Sequence, residues 1–233
     1  MKRIIVALDL PDIVGEHSIL SVASRLDPEY CLVKIGFQGF MAGGPSLISS
    51  LKEMGFEVFL DLKFKDIPNT ICCAVEEAIK MGVWGVTIHL DSGYEAVHEA
   101  VKIARDSDLK LFGVTVLTSM DDNDLFCLGI KRSVISQVSY LADLAVVAGI
   151  SGIVASAKEV HSLREGVLKK GELIICPGIR PMISTDFGDQ KRVSTPENAI
   201  KVGADYLVIG RPIVGTDDPG KELMRINKAI SNI

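Results

Sequence analysis

The chain has 233 residues, of which 48% are hydrophobic and 24% charged, with a formal net charge of -5. That length holds one large domain or two small ones, and the mild acidity gives no bulk-charge support for binding nucleic acid. The five apolar residues before Asp9 are too few for a signal-peptide core, and no apolar run reaches membrane-spanning length, so a cytoplasmic protein away from any membrane is expected.

Ile4 to Leu10 reads as a buried strand, followed by a helical stripe over residues 15 to 26 (Ile19, Leu20, Val22, Ala23, Leu26). Cys31 to Phe37 is a second strand with Lys34 inside it, and Pro45 to Met54 is helical, stopped by Gly55. A third strand opens at Val58. Asn69 to Met81 is helical and closed by Gly82, Trp84 to Asp91 is a fourth strand, and Tyr94 to Arg105 is helical. Leu109 to Leu117 is a fifth strand running into Thr118 and Ser119, and an acidic loop follows. Val134 to Ala148 is helical, Ser151 to Ala155 a sixth strand, Lys158 to Glu165 a short helix, and Glu172 to Cys176 a seventh strand. Pro196 to Lys201 is helical, Tyr206 to Ile209 is an eighth strand, and Pro219 to Ile230 is a closing helix. Of the five cysteines, Cys31, Cys72, Cys73, Cys127 and Cys176, four sit in apolar periodic runs as buried free thiols do, and none forms a C-x-x-C pair. The odd number fits a reducing compartment.

Eight near-continuous apolar strands, each followed by a helix, demand a parallel sheet covered on both faces. The count and length predict an α/β fold, a (β/α)8 TIM barrel, as a single domain over residues 1–233. An open doubly wound sheet is the alternative, weakened by the lack of G-x-G-x-x-G after the first strand.

The stretch Val58 to Thr70 is where chemistry intrudes on the pattern. Residues two apart on a strand share a face, roughly 6–7 Å apart, so Asp61 and Lys63 project together, and Asp66 follows just before Pro68 at the start of a helix. In a barrel, functional groups collect at strand C-termini. Asp9, Lys34, Asp61 with Lys63, His89 with Asp91, Thr118 with Ser119, and Gly210 with Arg211 all fall there. Charges inside buried strands cost several kcal/mol unless paired, so a series of them at successive strand ends points to use. The loops after strands 7 and 8 often bind phosphate. Here they carry Pro177-Gly178-Ile179-Arg180 and Gly210-Arg211, with glycine giving backbone access and arginine a fork for anionic oxygens.

Asp61-Leu62-Lys63-Phe64-Lys65-Asp66-Ile67-Pro68-Asn69-Thr70 fits a D-x-K-x-x-D-I-P-x-T signature. With Ala7-Leu8-Asp9, Val33-Lys34-Ile35-Gly36, Val116-Leu117-Thr118-Ser119-Met120, Gly188-Asp189-Gln190 and Val208-Ile209-Gly210-Arg211-Pro212, it gives the whole chain a close resemblance to the bacterial orotidine 5′-monophosphate decarboxylase family. The resemblance implies metal- and cofactor-independent decarboxylation of orotidine 5′-monophosphate to UMP and CO2, the last step of UMP biosynthesis. It makes Lys63, Asp61, Asp66 and Lys34 the catalytic network, with Lys63 protonating the C6 carbanion. It places Asp9 and Lys34 on the ribose side, Thr118 and Ser119 on the pyrimidine edge, and Gln190, Gly210 and Arg211 on the 5′-phosphate, with Arg180 in a mobile loop. The polar stretch from Arg180 to Ser194 suits a lid. The resemblance further implies a homodimer with shared sites, in which Asp66, and Thr70 with it, reaches the neighbour's site.

Two other functions stay open on the residues themselves. A metal-using sugar-phosphate relative would enlist His89-x-Asp91, although Lys34 stands where a metal site wants an acid or histidine. A non-catalytic phosphate-ligand binder would keep Gly210 and Arg211 but need neither Lys63 nor Asp66. For Thr118 and Ser119, a plain helix cap is the alternative reading.

Overall fold

Strand β1 (Ile4–Ala7) pairs in parallel with β2 (Cys31–Gly36), and β2 with β3 (Val58–Phe64). The series continues through β4 (Gly85–His89), β5 (Lys110–Val114), β6 (Gly152–Val154), β7 (Leu173–Cys176) and β8 (Tyr206–Ile209). β8 returns to β1, with Ile4 opposite Leu207 and Val6 opposite Ile209. In this computed structural model, which describes residues 2–168, 171–181, 192–231 and 233, the eight strands therefore close into a barrel. The β1–β8 pairing excludes an open doubly wound sheet, which has two free edges.

Helices lie between consecutive strands and cover the outside: α1 (Ile19–Ala23), α2 (Phe37–Glu53), α3 (Pro68–Met81), α4 (Tyr94–Ala104), α5 (Asp122–Cys127), α6 (Val134–Ala148), α7 (Ala157–Gly166), α8 (Pro196–Lys201), α9 (Arg211–Val214) and α10 (Pro219–Ile230). The outward strand residues (Ile4, Val6, Val33, Ile35, Val58, Leu60) join the apolar helix faces in one continuous core. The inward residues form a second core of Ile5, Leu32, Phe59, Phe112 and Ile175. Trp84 stacks on Phe112 at 5.1 Å, Phe59 meets Phe112 edge-on at 5.4 Å, and Tyr206 meets Trp84 at 5.1 Å. This ring of aromatics fills the lower barrel, with the Lys110 ammonium 5.4 Å from the centre of the Trp84 ring, and the sequence-selected charges lie toward the strand C-termini.

The expected elements are present, several of them shorter than expected (α1 is only Ile19–Ala23, β5 stops at Val114, and Leu90–Ser92 is a 3-10 turn rather than the end of β4), with three further differences. Helix α2 starts at Phe37, eight residues before the expected start at Pro45, and bends at Gly44 (φ 52) just before that proline. Its first half is glycine-rich and so carries little helical pattern, yet Gly39 lies where a Cβ would sit 3.1 Å from Ile19 and 3.3 Å from Ile35. The acidic loop contains α5, because Asp121 accepts from the N–H groups of Asn123 and Asp124 while Asp124 accepts from that of Asp121, a complete capping box. The short helix α9 stands where Gly210 and Pro212 read as a loop. No described helix is long and apolar enough to cross a membrane. The cysteine expectation needs correcting: Cys31 and Cys176 are buried and Cys72 is half-buried, but Cys73 and Cys127 are exposed. Helical periodicity places Cys73 beside the buried stripe of α3 (Ile71, Val75, Ala78) rather than in it.

Candidate active site

Chain direction alone brings the strand-end charges together, because all eight strands point the same way. The ammonium of Lys34, 7% exposed, lies 2.9 and 3.1 Å from the two carboxylate oxygens of Asp9 and 3.4 Å from Oδ2 of Asp61. Oδ1 of Asp61 lies 2.8 Å from Nζ of Lys63. The four side chains form an unbroken line of alternating sign, Asp9–Lys34–Asp61–Lys63, crossing from β1 to β3. Burial pushes the Asp61 carboxyl up, but Lys34 and then Lys63 outweigh it and hold the group below the ordinary carboxylate range. Burial pulls Lys34 down, and the carboxylates of Asp61 and Asp9 more than reverse that, so its ammonium is held above the usual lysine range. Gly36 makes room for this packing. A Cβ there would sit 3.0 Å from Oδ1 of Asp9 and 3.2 Å from Nζ of Lys34.

Asp61 and Lys63 share a face as their two-residue spacing predicts, but the backbone between them is irregular. The β3–β4 register shifts between Leu60 and Phe64, and Lys63 is the one non-glycine among the described residues with positive φ, 44°. Thr87 of β4 sits against this irregularity, accepting from the Lys63 N–H at 2.8 Å and donating to Oδ1 of Asp61 at 3.0 Å.

A cavity of about 430 Å³ opens above the line of charges. Asp9, Lys34, Asp61, Lys63, Thr118, Arg180, Gly210 and Arg211 all line it, over a floor that includes Phe59, Ile175 and Val208. Eight of the sequence-selected residues thus meet at one site. Ser119 does not line it: it is exposed over a separate shallow depression with Met120 and Leu128. Neither it nor Thr118 is a helix cap, since Asp121 caps α5. Asp66 and Thr70 are exposed outside the cavity, and Asp66 accepts from the adjacent Ile67 N–H at 2.7 Å. Gln190 lies outside the described residues, as does most of the 180–194 stretch.

The two ends of that stretch are described. Arg180 N–H donates to the Ser194 carbonyl at 2.9 Å, and Ser194 N–H to the Gly178 carbonyl at 3.1 Å, so the loop root is zipped shut. Arg192, buried, donates to Oε1 of Glu159 at 2.6 Å and to the carbonyls of Val116 and Leu117, both at 2.9 Å. It ties the loop root to the residues just before Thr118. The sequence reading missed both Arg192 and Thr87. An arginine in a polar loop and a threonine in a β-branched strand carry no signal of these roles.

His89 and Asp91 are joined to each other, 3.5 Å apart, and Lys65 donates to Asp91 at 2.6 Å. The hydrogen bond from His89 and the pairing with Lys65 hold the Asp91 carboxyl down at about 2, against the opposing effect of burial. Among the described residues, no three His, Cys, Asp or Glu side chains gather as a metal site.

A closed (β/α)8 barrel with an acid–lysine line and two arginines around one cavity at its strand C-termini defines a barrel enzyme. Residues 2–226 match the family described as orotidine 5′-phosphate decarboxylase / HUMPS. The chain is 45% identical over 232 residues to the orotidine 5′-phosphate decarboxylase of Pseudoalteromonas translucida (strain TAC 125), covering 98% of this chain and 97% of that protein. It is 46% identical over 233 residues to that of Pasteurella multocida (strain Pm70), with the same coverage of each. Among solved structures, the orotidine 5′-phosphate decarboxylase of Lactobacillus acidophilus superposes with a TM-score of 0.86 at 32% identity, over 99% of this chain and 100% of that one. The chain belongs to the orotidine 5′-phosphate decarboxylase / HUMPS family.

Proposed function

We propose that the protein, as a single barrel domain over residues 1–233, decarboxylates orotidine 5′-monophosphate to UMP and CO2, the closing step of UMP biosynthesis, without metal or organic cofactor. The observation that carries this reading is the line Asp9–Lys34–Asp61–Lys63 in a cavity also lined by Arg180 and Arg211. Loss of CO2 breaks the bond at C6 and leaves its electron pair in an sp² orbital that the ring delocalises poorly. The Lys63 ammonium lies beside that carbon, stabilises the developing charge and donates its proton to C6. Asp61 and Lys34 orient Lys63, and Lys34 with Asp9 holds the ribose. Thr118, on the cavity wall, reads the pyrimidine, whereas Ser119 faces away from it. Arg211, Gly210, Arg180 and Gln190 take the 5′-phosphate, whose remote binding energy supports the chemical step.

Asp66 and Thr70 are assigned to the neighbour's site in a cytoplasmic homodimer. Their exposure, beside an Ile67 that is 67% exposed, supports that placement. The test is loss of the orotate absorbance with purified protein and orotidine 5′-monophosphate in excess EDTA. Turnover indifferent to EDTA is expected, and Lys63→Ala should abolish it. Activity lost to EDTA and restored by magnesium would overturn the metal-free reading, as near-normal turnover by Lys63→Ala would overturn the role of that lysine.

A further inference from the structure

We infer that Thr87 is a positioning residue for the reaction, its hydroxyl fixing both the Asp61 carboxylate and the left-handed backbone of Lys63. The inference rests on the proposed decarboxylation. A non-glycine residue at positive φ is strained and persists only where its surroundings over-determine it. At Lys63 the surroundings supply one bond that a regular ladder would not: its N–H points sideways to Thr87 Oγ1 at 2.8 Å while the β3–β4 register slips. The same oxygen carries the hydrogen that reaches Asp61 Oδ1 at 3.0 Å, and Asp61 Oδ1 in turn takes Nζ of Lys63 at 2.8 Å. Backbone and ammonium of one lysine are thus tied, through one hydroxyl and one carboxylate, into a closed loop.

Thr87 is 1% exposed and does not line the cavity, so it acts only through these neighbours. The polar groups facing Asp61 are Lys34, Lys63 and Thr87, and Thr87 alone among them is uncharged. Removing its hydroxyl leaves the attraction of both ammoniums intact but frees the lysine to relax toward an ordinary strand conformation.

The experiment compares Thr87→Val, Thr87→Ser and Thr87→Ala by steady-state kinetics with orotidine 5′-monophosphate and by thermal melting. Thr87→Val keeps the shape and loses the hydroxyl. It should lower kcat by roughly 10- to 100-fold, the span of one hydrogen bond to a charged group, with KM little changed, because the reacting groups and not the phosphate grip are disturbed. Thr87→Ser, which loses a methyl but keeps the hydroxyl, should stay near wild-type kcat. The acid limb of the kcat–pH profile should move to higher pH in Thr87→Val and stay put in Thr87→Ser, since the lost bond favours ionised Asp61. A side chain needed only for packing would give the reverse order, with Val harmless and Ser impaired, and that result overturns the inference. Should Thr87→Val fail to fold, Thr87→Ala against Thr87→Ser decides, since both lack the methyl and only one keeps the hydroxyl; equal kcat values would overturn the inference. Wild-type protein inactive on this substrate would instead overturn the proposed function itself.

Discussion

Replacing Lys34 by methionine removes the central cation of the charge line while keeping an unbranched side chain of similar length. The Lys34–Asp61 contact spans 3.4 Å between side chains only 9% and 13% exposed. At an effective dielectric near 20 this is an attraction of about 5 kcal/mol. Much of that is returned, because the variant no longer buries an ammonium, and Asp61 keeps Lys63 at 2.8 Å. The Asp9 side of the contact adds at most about 1 kcal/mol, since that carboxylate is 54% exposed and screened. The net loss should be about 2–3 kcal/mol at pH 7, below the ~3–5 kcal/mol for a buried pair broken outright.

The pH dependence is the sharper check. Asp61 is held below its unfolded value, so the stability it contributes is present above the ordinary carboxylate range and lost as pH falls through the folded pKa. Lys34 is held above its unfolded value, so its share is present below the ordinary lysine range and lost as pH rises through the folded pKa. The difference between wild type and Lys34→Met should therefore plateau from about pH 5 to 9 and shrink on both sides. Urea unfolding across pH 3 to 10.5, read by circular dichroism, measures it. A difference under about 0.5 kcal/mol at pH 7, or one that stays flat from pH 7 to pH 3, would refute the electrostatic account.

Arg192→Ala should cost about 3–5 kcal/mol, because Glu159 is left buried and the Val116 and Leu117 carbonyls lose their donor. Burial already pushes the Glu159 carboxyl up, so the loss should be smaller at pH 5 than at pH 8 in paired urea titrations. Adding Glu159→Gln should recover part of it, and strict additivity in the double-mutant cycle would count against the pair. In thiol titration with an aromatic disulfide, Cys31 and Cys176 should react only once denaturant is added. Both are fully buried, and burial drives the Cys31 thiol up to about 12 and Cys176 further in the same direction.

The barrel was legible because its signal is coarse. Strands such as Ile4–Ala7 and Cys31–Gly36 must be apolar on both faces to lie between an inner and an outer core, and a run of branched residues says so directly. Lys34 and Asp61 stood out for the same reason, as charges where the core allows none without a partner. What stayed hidden depends on conformation rather than composition. No residue type announces that Lys63 takes a left-handed backbone, and Thr87 suits a strand so well by propensity that its hydroxyl drew no notice. Arg192 reads as part of a solvated loop, because its partners, two carbonyls just past the end of β5 and a helix-capping glutamate, are distant in sequence. Gly39 and Gly43 masked the first half of α2 by being the very residues that let it pack closely.

The aromatic ring beneath the cavity has a consequence for binding. With Phe59, Phe112, Trp84 and Tyr206 filling the lower barrel, the cavity is backed by apolar side chains and its charged lining lies toward the strand C-termini. A substrate of the proposed reaction therefore has an apolar wall behind it and a charged rim, Arg180 and Arg211 included, before it.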